Sequence, residues 1–217
     1  MNRPFRQSPV YPPPRLYQAH LETFAVTDGG GVLDSLSDQA DGTCDIDTNA
    51  VSGGFTLRKP IKDILGGPID SVNGVLFAMA FAEMVTANNG FDRVSVGFED
   101  SVAGLNIRGG IRDNGDIIAA GFGSAGGASA AGADRVVFGF SPSNDEMERY
   151  VLAVGYDTAN ARQGTRSVTC PTRGDCDIDN LYVEIFNNGA TAQTMTVKVG
   201  FLVWPTIPDI NVLTSRG

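Results

Sequence analysis

Thr194-Met195-Thr196-Val197-Lys198-Val199-Gly200-Phe201-Leu202-Val203-Trp204 decides the fold. Met195, Val197, Val199, Phe201 and Val203 take every second position, with Thr194, Thr196 and Lys198 between them. Successive side chains of an extended chain point to opposite faces, so this pattern makes one greasy face and one wet face. It reads as a half-buried antiparallel strand. Over Arg149–Asp157 the same rule yields Tyr150, Leu152, Val154 and Tyr156, and over Arg93–Phe98 it yields Val94, Val96 and Phe98.

Working outward, Leu105–Ile111 and Asp116–Ala120 flank Arg112-Asp113-Asn114-Gly115, a hairpin turn by composition. Strands are also expected around Leu16–Val26, Gly54–Arg58, Arg135–Phe140, Gly164–Cys170 and Leu181–Phe186. Lys59-Pro60 should end the second of these, and a polar loop with Asp34, Asp38 and Asp41 should precede it. Val75–Val85 reads two ways. Bulky Val75, Phe77, Met79 and Phe81 alternate with small Ala78, Ala80 and Ala82, which suits a strand buried on both faces. Phe77 and Phe81, four apart in an Ala-rich run, also suit a helix. Strand is the reading adopted, given its surroundings. Roughly eight to ten strands at short spacing predict an all-β fold, an antiparallel, jelly-roll-like β-sandwich. Residues 21–205 form its single domain, after an extended proline-rich arm at 1–20 and before an extended tail at 206–217.

Composition narrows the function classes. At 217 residues the chain is long enough to build a core without staples, and 27 glycines suit many tight turns. The net charge is -9, yet residues 1–21 carry Arg3, Arg6 and Arg15 and no carboxylate. An acidic body repels phosphate backbones, which argues against nucleic acid as a partner. No apolar run reaches the roughly 18 residues of a membrane helix, so no membrane partner is expected. No apolar stretch follows Met1–Arg6, so no secretory signal is expected and cytoplasmic synthesis is the default. Cys44, Cys170 and Cys176 are an odd set, which favours free thiols; Cys170 and Cys176 would pair only in an oxidising compartment.

In the arm, Pro9, Pro12, Pro13 and Pro14 make a stiff polyproline II segment that cannot enter a sheet interior. Arg3, Phe5, Arg6, Tyr11, Pro12, Pro13, Pro14, Arg15 and Tyr17 are its candidate partner-binding residues. Such a segment either dangles or lies along a neighbour, and its low entropy cost of ordering favours the neighbour.

Candidate chemistry is sparse. Gly121-Phe122-Gly123-Ser124-Ala125-Gly126 matches a dinucleotide fingerprint, but the helix it needs would contain Gly126, Gly127 and Gly132. A flexible Gly/Ala/Ser loop fits better. The echo Cys44-Asp45-Ile46-Asp47 and Cys176-Asp177-Ile178-Asp179 clusters carboxylates. On a strand, Asp175, Asp177 and Asp179 would share a face and meet one calcium ion; solvated loop acids are the plainer reading, and no metal site is assigned. Arg173-Gly174-Asp175 is a tripeptide that recurs by chance. His20 is the sole histidine and no Gly-x-Ser-x-Gly elbow exists, so nucleophilic catalysis lacks its parts and no catalytic residue is assigned. Glu83, inside an apolar run, is the acid expected to be partly buried. No cofactor is expected.

With its proline-rich Met1–Tyr17, its strand series, its Gly/Ala-rich Gly121–Ala133 and its ending Phe201–Pro205, the chain resembles the cement (decoration) proteins of tailed-phage heads. The resemblance implies a virion location, a homo-oligomer (a trimer by preference), and a major capsid protein or other virion protein as partner. Its implied function is stabilising the head by clamping neighbouring capsid subunits. Another virion component (fibre, adaptor or head–tail protein) and a calcium-assisted carbohydrate-binding β-sandwich stand beside it as alternatives.

Overall fold

A computed structural model of the protein describes residues 15–65, 75–84, 92–102, 104–121, 128–129, 132–141, 149–170, 179–189 and 191–204. The first half of the chain supplies β1 (Arg15–Gln18), β2 (Ala25–Asp28), β3 (Leu33–Asp38), β4 (Cys44–Thr48), β5 (Gly53–Pro60), the short helix α1 (Ile61–Leu65), β6 (Val75–Met84) and β7 (Arg93–Asp100). The second half supplies β8 (Leu105–Arg112), β9 (Ile117–Gly121), β10 (Ala128–Ser129), β11 (Arg135–Ser141), β12 (Arg149–Tyr156), β13 (Arg162–Cys170), β14 (Asn180–Asn187) and β15 (Thr194–Trp204).

Two antiparallel sheets result. The eight-stranded sheet runs β13-β12-β11-β6-β15-β4-β3, with β1 also on β15. The seven-stranded sheet runs β10-β9-β8-β7-β14-β5-β2. Alternation does the work that the sequence pattern promises. Met195, Val197 and Val199 of β15 face Val94, Val96 and Phe98 of β7 and Leu181, Val183 and Ile185 of β14 in one buried core. The all-β antiparallel sandwich is therefore the fold. β6 is a strand along its whole length, paired with β15 on one side and β11 on the other.

Turn chemistry matches the sequence at the β8–β9 hairpin. Gly115 sits at φ +83° and its N–H donates to the Arg112 carbonyl at 2.9 Å. A Cβ there would lie 2.5 Å from the Ala133 nitrogen, so glycine is required on two counts. At one end of the sandwich a buried polar knot joins distant loops. The Asn187 side-chain amide donates to Thr48 Oγ1 and to the Asn49 and Thr191 carbonyls, while Asp92 accepts from the Asn188 N–H and from Gln193 Nε2. Pairing of this kind is what lets polar groups stay buried.

Several expectations change. The first strand does not run through Leu16–Val26: a 3₁₀ turn at Leu21–Thr23 divides it into β1 and β2. Residues 15–20, assigned to the arm by sequence, meet the sandwich directly. Arg15–Gln18 pair with Val203–Gly200 of β15, the Ala19 N–H donates to the Val199 carbonyl, and Ala19 is buried. The polar loop before Gly54 contains β3 and β4, with Cys44, Ile46 and Thr48 turned inward. β5 runs two residues past the expected end at Arg58 and takes in Lys59 and Pro60, with Pro60 at its last position, where a missing N–H costs the ladder least. Gly121 closes β9, and Ala128–Ser129, inside the stretch a dinucleotide-binding helix would occupy, are instead a strand, β10, paired antiparallel with Ile118 and Ile117.

Candidate functional site

The sequence-predicted residues scatter. Arg3, Phe5, Arg6, Tyr11, Pro12, Pro13 and Pro14 lie outside the described residues, as do Asp175, Asp177, Cys176 and the Arg173-Gly174-Asp175 tripeptide. Arg15 and Tyr17 occupy β1, in register with Val203 and Phe201. Glu83 takes the register position between Thr196 and Arg135. Asp179 is committed locally: its carboxylate accepts from the Ser101 N–H at 2.9 Å and from the Ser101 hydroxyl. Asp45 and Asp47 lie on the outer face of the eight-stranded sheet, where Thr196, Gln39, Thr194 and Ser35 donate to them. Among the described residues no three His, Cys, Asp or Glu side chains converge as metal ligands would. His20 is exposed at the surface, 3.8 Å from Asp38. Burial pushes the Cys44 thiol up to about 12, which makes it an inert core residue and not a nucleophile.

The chemistry collects elsewhere, on the outer face of the seven-stranded sheet. Leu181, Val183 and Ile185 point into the core, so Tyr182, Glu184 and Phe186 occupy the opposite face of β14. By the same rule β7 presents Arg93, Ser95, Gly97 and Glu99 there, β8 presents Arg108, Gly110 and Arg112, and β5 presents Thr56 and Arg58. Register then sets Arg58, Tyr182, Gly97 and Arg108 in one cross-strand row, and Thr56, Glu184, Ser95 and Gly110 in the next.

The row is tightly wired. Arg58 holds Glu99 with two bonds, Nε to Oε2 at 2.7 Å and Nη2 to Oε1 at 3.1 Å. Arg93 Nη2 donates to Glu184 Oε1 at 2.7 Å, and Arg108 Nη1 donates to Glu184 Oε2. Phe186 underlies the Arg93 guanidinium at 4.7 Å, a cation–π contact that fixes its plane. The hydrogen bond to Glu99 holds Arg58 above its ordinary range. Tyr182 is 3% exposed although it lies off the core, and its hydroxyl has no hydrogen-bond partner. Burial pushes its pKa up, against the pull of the Arg108 guanidinium beside it. Ser95 is likewise buried, and its hydroxyl likewise unpartnered. Gly97 and Gly110 are dictated by backbone approach: a Cβ on either would fall 2.1 Å from a carbonyl of the neighbouring strand.

Sequence reasoning passed over this site because its members come from four separate strands. Each alternation was visible, but only the pairing of β14 with β7 and β5 brings residues near 58, 97 and 182 together.

No family model and no curated protein sequence matches the chain. Solved structures do. A lectin from Bauhinia forficata in complex with GalNAc is 7% identical with a TM-score of 0.57, covering 89% of this chain and all (100%) of that one. Arcelin-5, a lectin-like defence protein from Phaseolus vulgaris, is 8% identical with a TM-score of 0.54, covering 88% and 97%. The CBM2 module of the evolved Dit of Lactobacillus casei BL23 phage J-1 is 11% identical with a TM-score of 0.53, covering 90% and 99%. At such identities the likeness speaks for the fold. It spans nearly all of both chains in each case.

Proposed function

We propose that this chain is a carbohydrate-binding β-sandwich carried as a virion component, with the outer face of its seven-stranded sheet as the binding face. The observation that carries this reading is the wired patch of Arg58, Glu99, Arg108 and Glu184 around Tyr182 on that face. A sugar hydroxyl both donates and accepts, so it is best met by fixed donors beside fixed acceptors. The lectin and phage CBM2 likenesses support a glycan ligand, and the phage module supports the virion setting.

The same geometry argues for a binder over a glycosidase. Hydrolysis needs one carboxyl group free to donate a proton to the leaving oxygen. Here both oxygens of Glu99 and both of Glu184 already accept from guanidinium groups. The calcium-assisted form of the reading is not adopted, because Asp179 is committed to Ser101. Capsid cementing by the arm concerns residues 1–14, outside those described, and the similar folds add nothing to it. Homo-oligomerisation, with a trimer first, remains part of the proposal and is read by light scattering.

The test is a panel of bacterial surface oligosaccharides presented to the wild-type protein and to Arg58→Ala, with circular dichroism confirming that both fold. At least one sugar should bind the wild type and bind the variant at least fivefold more weakly. A wild type that binds no sugar on the panel contradicts the reading.

A further inference from the structure

Five buried side-chain atoms that lack a well-formed hydrogen bond gather on this one face: Arg93 Nε, Arg108 Nε, Arg112 Nε, Ser95 Oγ and Tyr182 Oη. Register places them in a block three strands wide and three rows deep. β14 contributes Tyr182, Glu184 and Phe186; β7 contributes Gly97, Ser95 and Arg93; β8 contributes Arg108, Gly110 and Arg112. Paired strands lie about 4.8 Å apart and same-face neighbours along a strand about 7 Å apart, so all three arginine stems rise close around Ser95.

Every one of the five orphaned groups can donate, and acceptors are scarce. Glu184 serves Arg93 and Arg108 through one Nη of each. Arg112 reaches Asp116 at 4.0 Å, the outer limit of an ion pair. Three guanidiniums thus meet two carboxylates, a positive island in a chain of net charge -9. The arginine side chains stay 27%, 27% and 31% exposed, so their outer ends face solvent. Phe186 and Glu184 hold Arg93 in place before any ligand arrives, which lowers the entropy cost of binding. A Cβ at position 110 would come within 2.8 Å of Ser95 Oγ, so glycine is what lets that hydroxyl lie buried at the centre of the block.

We infer that the exposed guanidinium ends of Arg93, Arg108 and Arg112, rising over buried Ser95 and Tyr182, receive the anionic group, carboxylate or phosphate, of an acidic glycan. The inference rests on the carbohydrate-binding reading and names its ligand class. Guanidinium forks match the planar carboxylate and the phosphate with paired hydrogen bonds, which a neutral sugar cannot supply. The acidic remainder of the protein repels polyanions in general, so recognition depends on this island and on the sugar that brings the charge to it.

Titration calorimetry at low salt tests it with four probes of matched length: an oligogalacturonate, a glycerol-phosphate oligomer, a neutral glucan and a single-stranded DNA. Variants are Arg112→Gln, which leaves the Glu184 bonds in place, and Arg162→Gln on the exposed edge of the other sheet as control. One of the two acidic oligomers should bind at least tenfold more tightly than the glucan, and added salt should weaken it. Which of the two binds tells carboxylate from phosphate. R112Q should lose tenfold or more, and R162Q should stay within twofold. Glucan binding equal to the acidic oligomers and unchanged in R112Q overturns the anion assignment while leaving the carbohydrate reading standing. DNA bound as tightly as either acidic oligomer overturns it in favour of a general polyanion patch. Binding of no oligosaccharide at all removes both readings together.

Discussion

Replacing Tyr182 with phenylalanine tests the wiring of the candidate site most sharply. The ring is 3% exposed and its hydroxyl has no hydrogen-bond partner, so the folded state carries a desolvated polar group that water satisfies in the unfolded chain. Stranding such a group costs roughly 1–3 kcal/mol, and Tyr182→Phe removes the group while keeping the ring. The Arg108 guanidinium beside the hydroxyl gives it a contact too poorly aligned for a full hydrogen bond, which offsets part of that cost, so the lower end of the range applies. The variant should gain about 1 kcal/mol, a rise in melting temperature of about 2–4 °C for a domain of this size. Urea denaturation should show a higher midpoint with an unchanged slope. A variant that loses about 1 kcal/mol or more would refute the reasoning, because the hydroxyl would then have been a well-made bond to Arg108.

Three further outcomes follow from the geometry. Gly110→Ala should cost more than about 3 kcal/mol or abolish soluble expression, since its Cβ would lie 2.1 Å from the Val94 carbonyl, whereas Gly30→Ala, with its nearest contact at 3.7 Å, should be near neutral; thermal melts compare them. The Asp28 carboxylate accepts from the Gly30, Val32 and Leu33 N–H groups. Burial raises its pKa, but these donors outweigh it and hold the group below its ordinary 3.8. Asp28→Asn should therefore be less stable at pH 7, with the gap to wild type closing as pH falls below 3.8 through the folded-state value; a gap constant from pH 7 to pH 3 contradicts this. Removing residues 1–20 should lower the melting temperature sharply, by about 5 °C or more, because the deletion strips β1 from β15 and takes buried Ala19 with it; an unchanged melt contradicts this.

The strands that alternate most plainly in the sequence are those with few acids on their outer faces. β15 carries Thr194, Thr196 and Lys198 outward and β7 carries Arg93 and Ser95, so both alternations show plainly. β4 alternates just as strictly, Cys44, Ile46 and Thr48 inward, but Asp45 and Asp47 between them read as loop acids. Threonine and serine hydroxyls on β15 and β3 hold those carboxylates on the sheet, a cross-strand effect that propensity within one segment does not contain. What was hidden is that β1 pairs with β15, because Phe201 lies nearly the whole chain away from its register partner Tyr17. The candidate site was illegible for the same reason. Arg93 and Arg112 are direct register partners, and Tyr182 reaches them only through the β14–β7 pairing. Periodicity places a residue on a face; register decides which faces become one surface.

Backbone amide shift mapping during titration with the tightest-binding oligosaccharide addresses the central claim most directly. The account predicts that the largest perturbations fall on Ser95, Gly97, Arg108, Gly110 and Tyr182, on the outer face of the seven-stranded sheet. Perturbations centred on Asp45, Asp47, Thr194 and Thr196, on the other sheet, would contradict it.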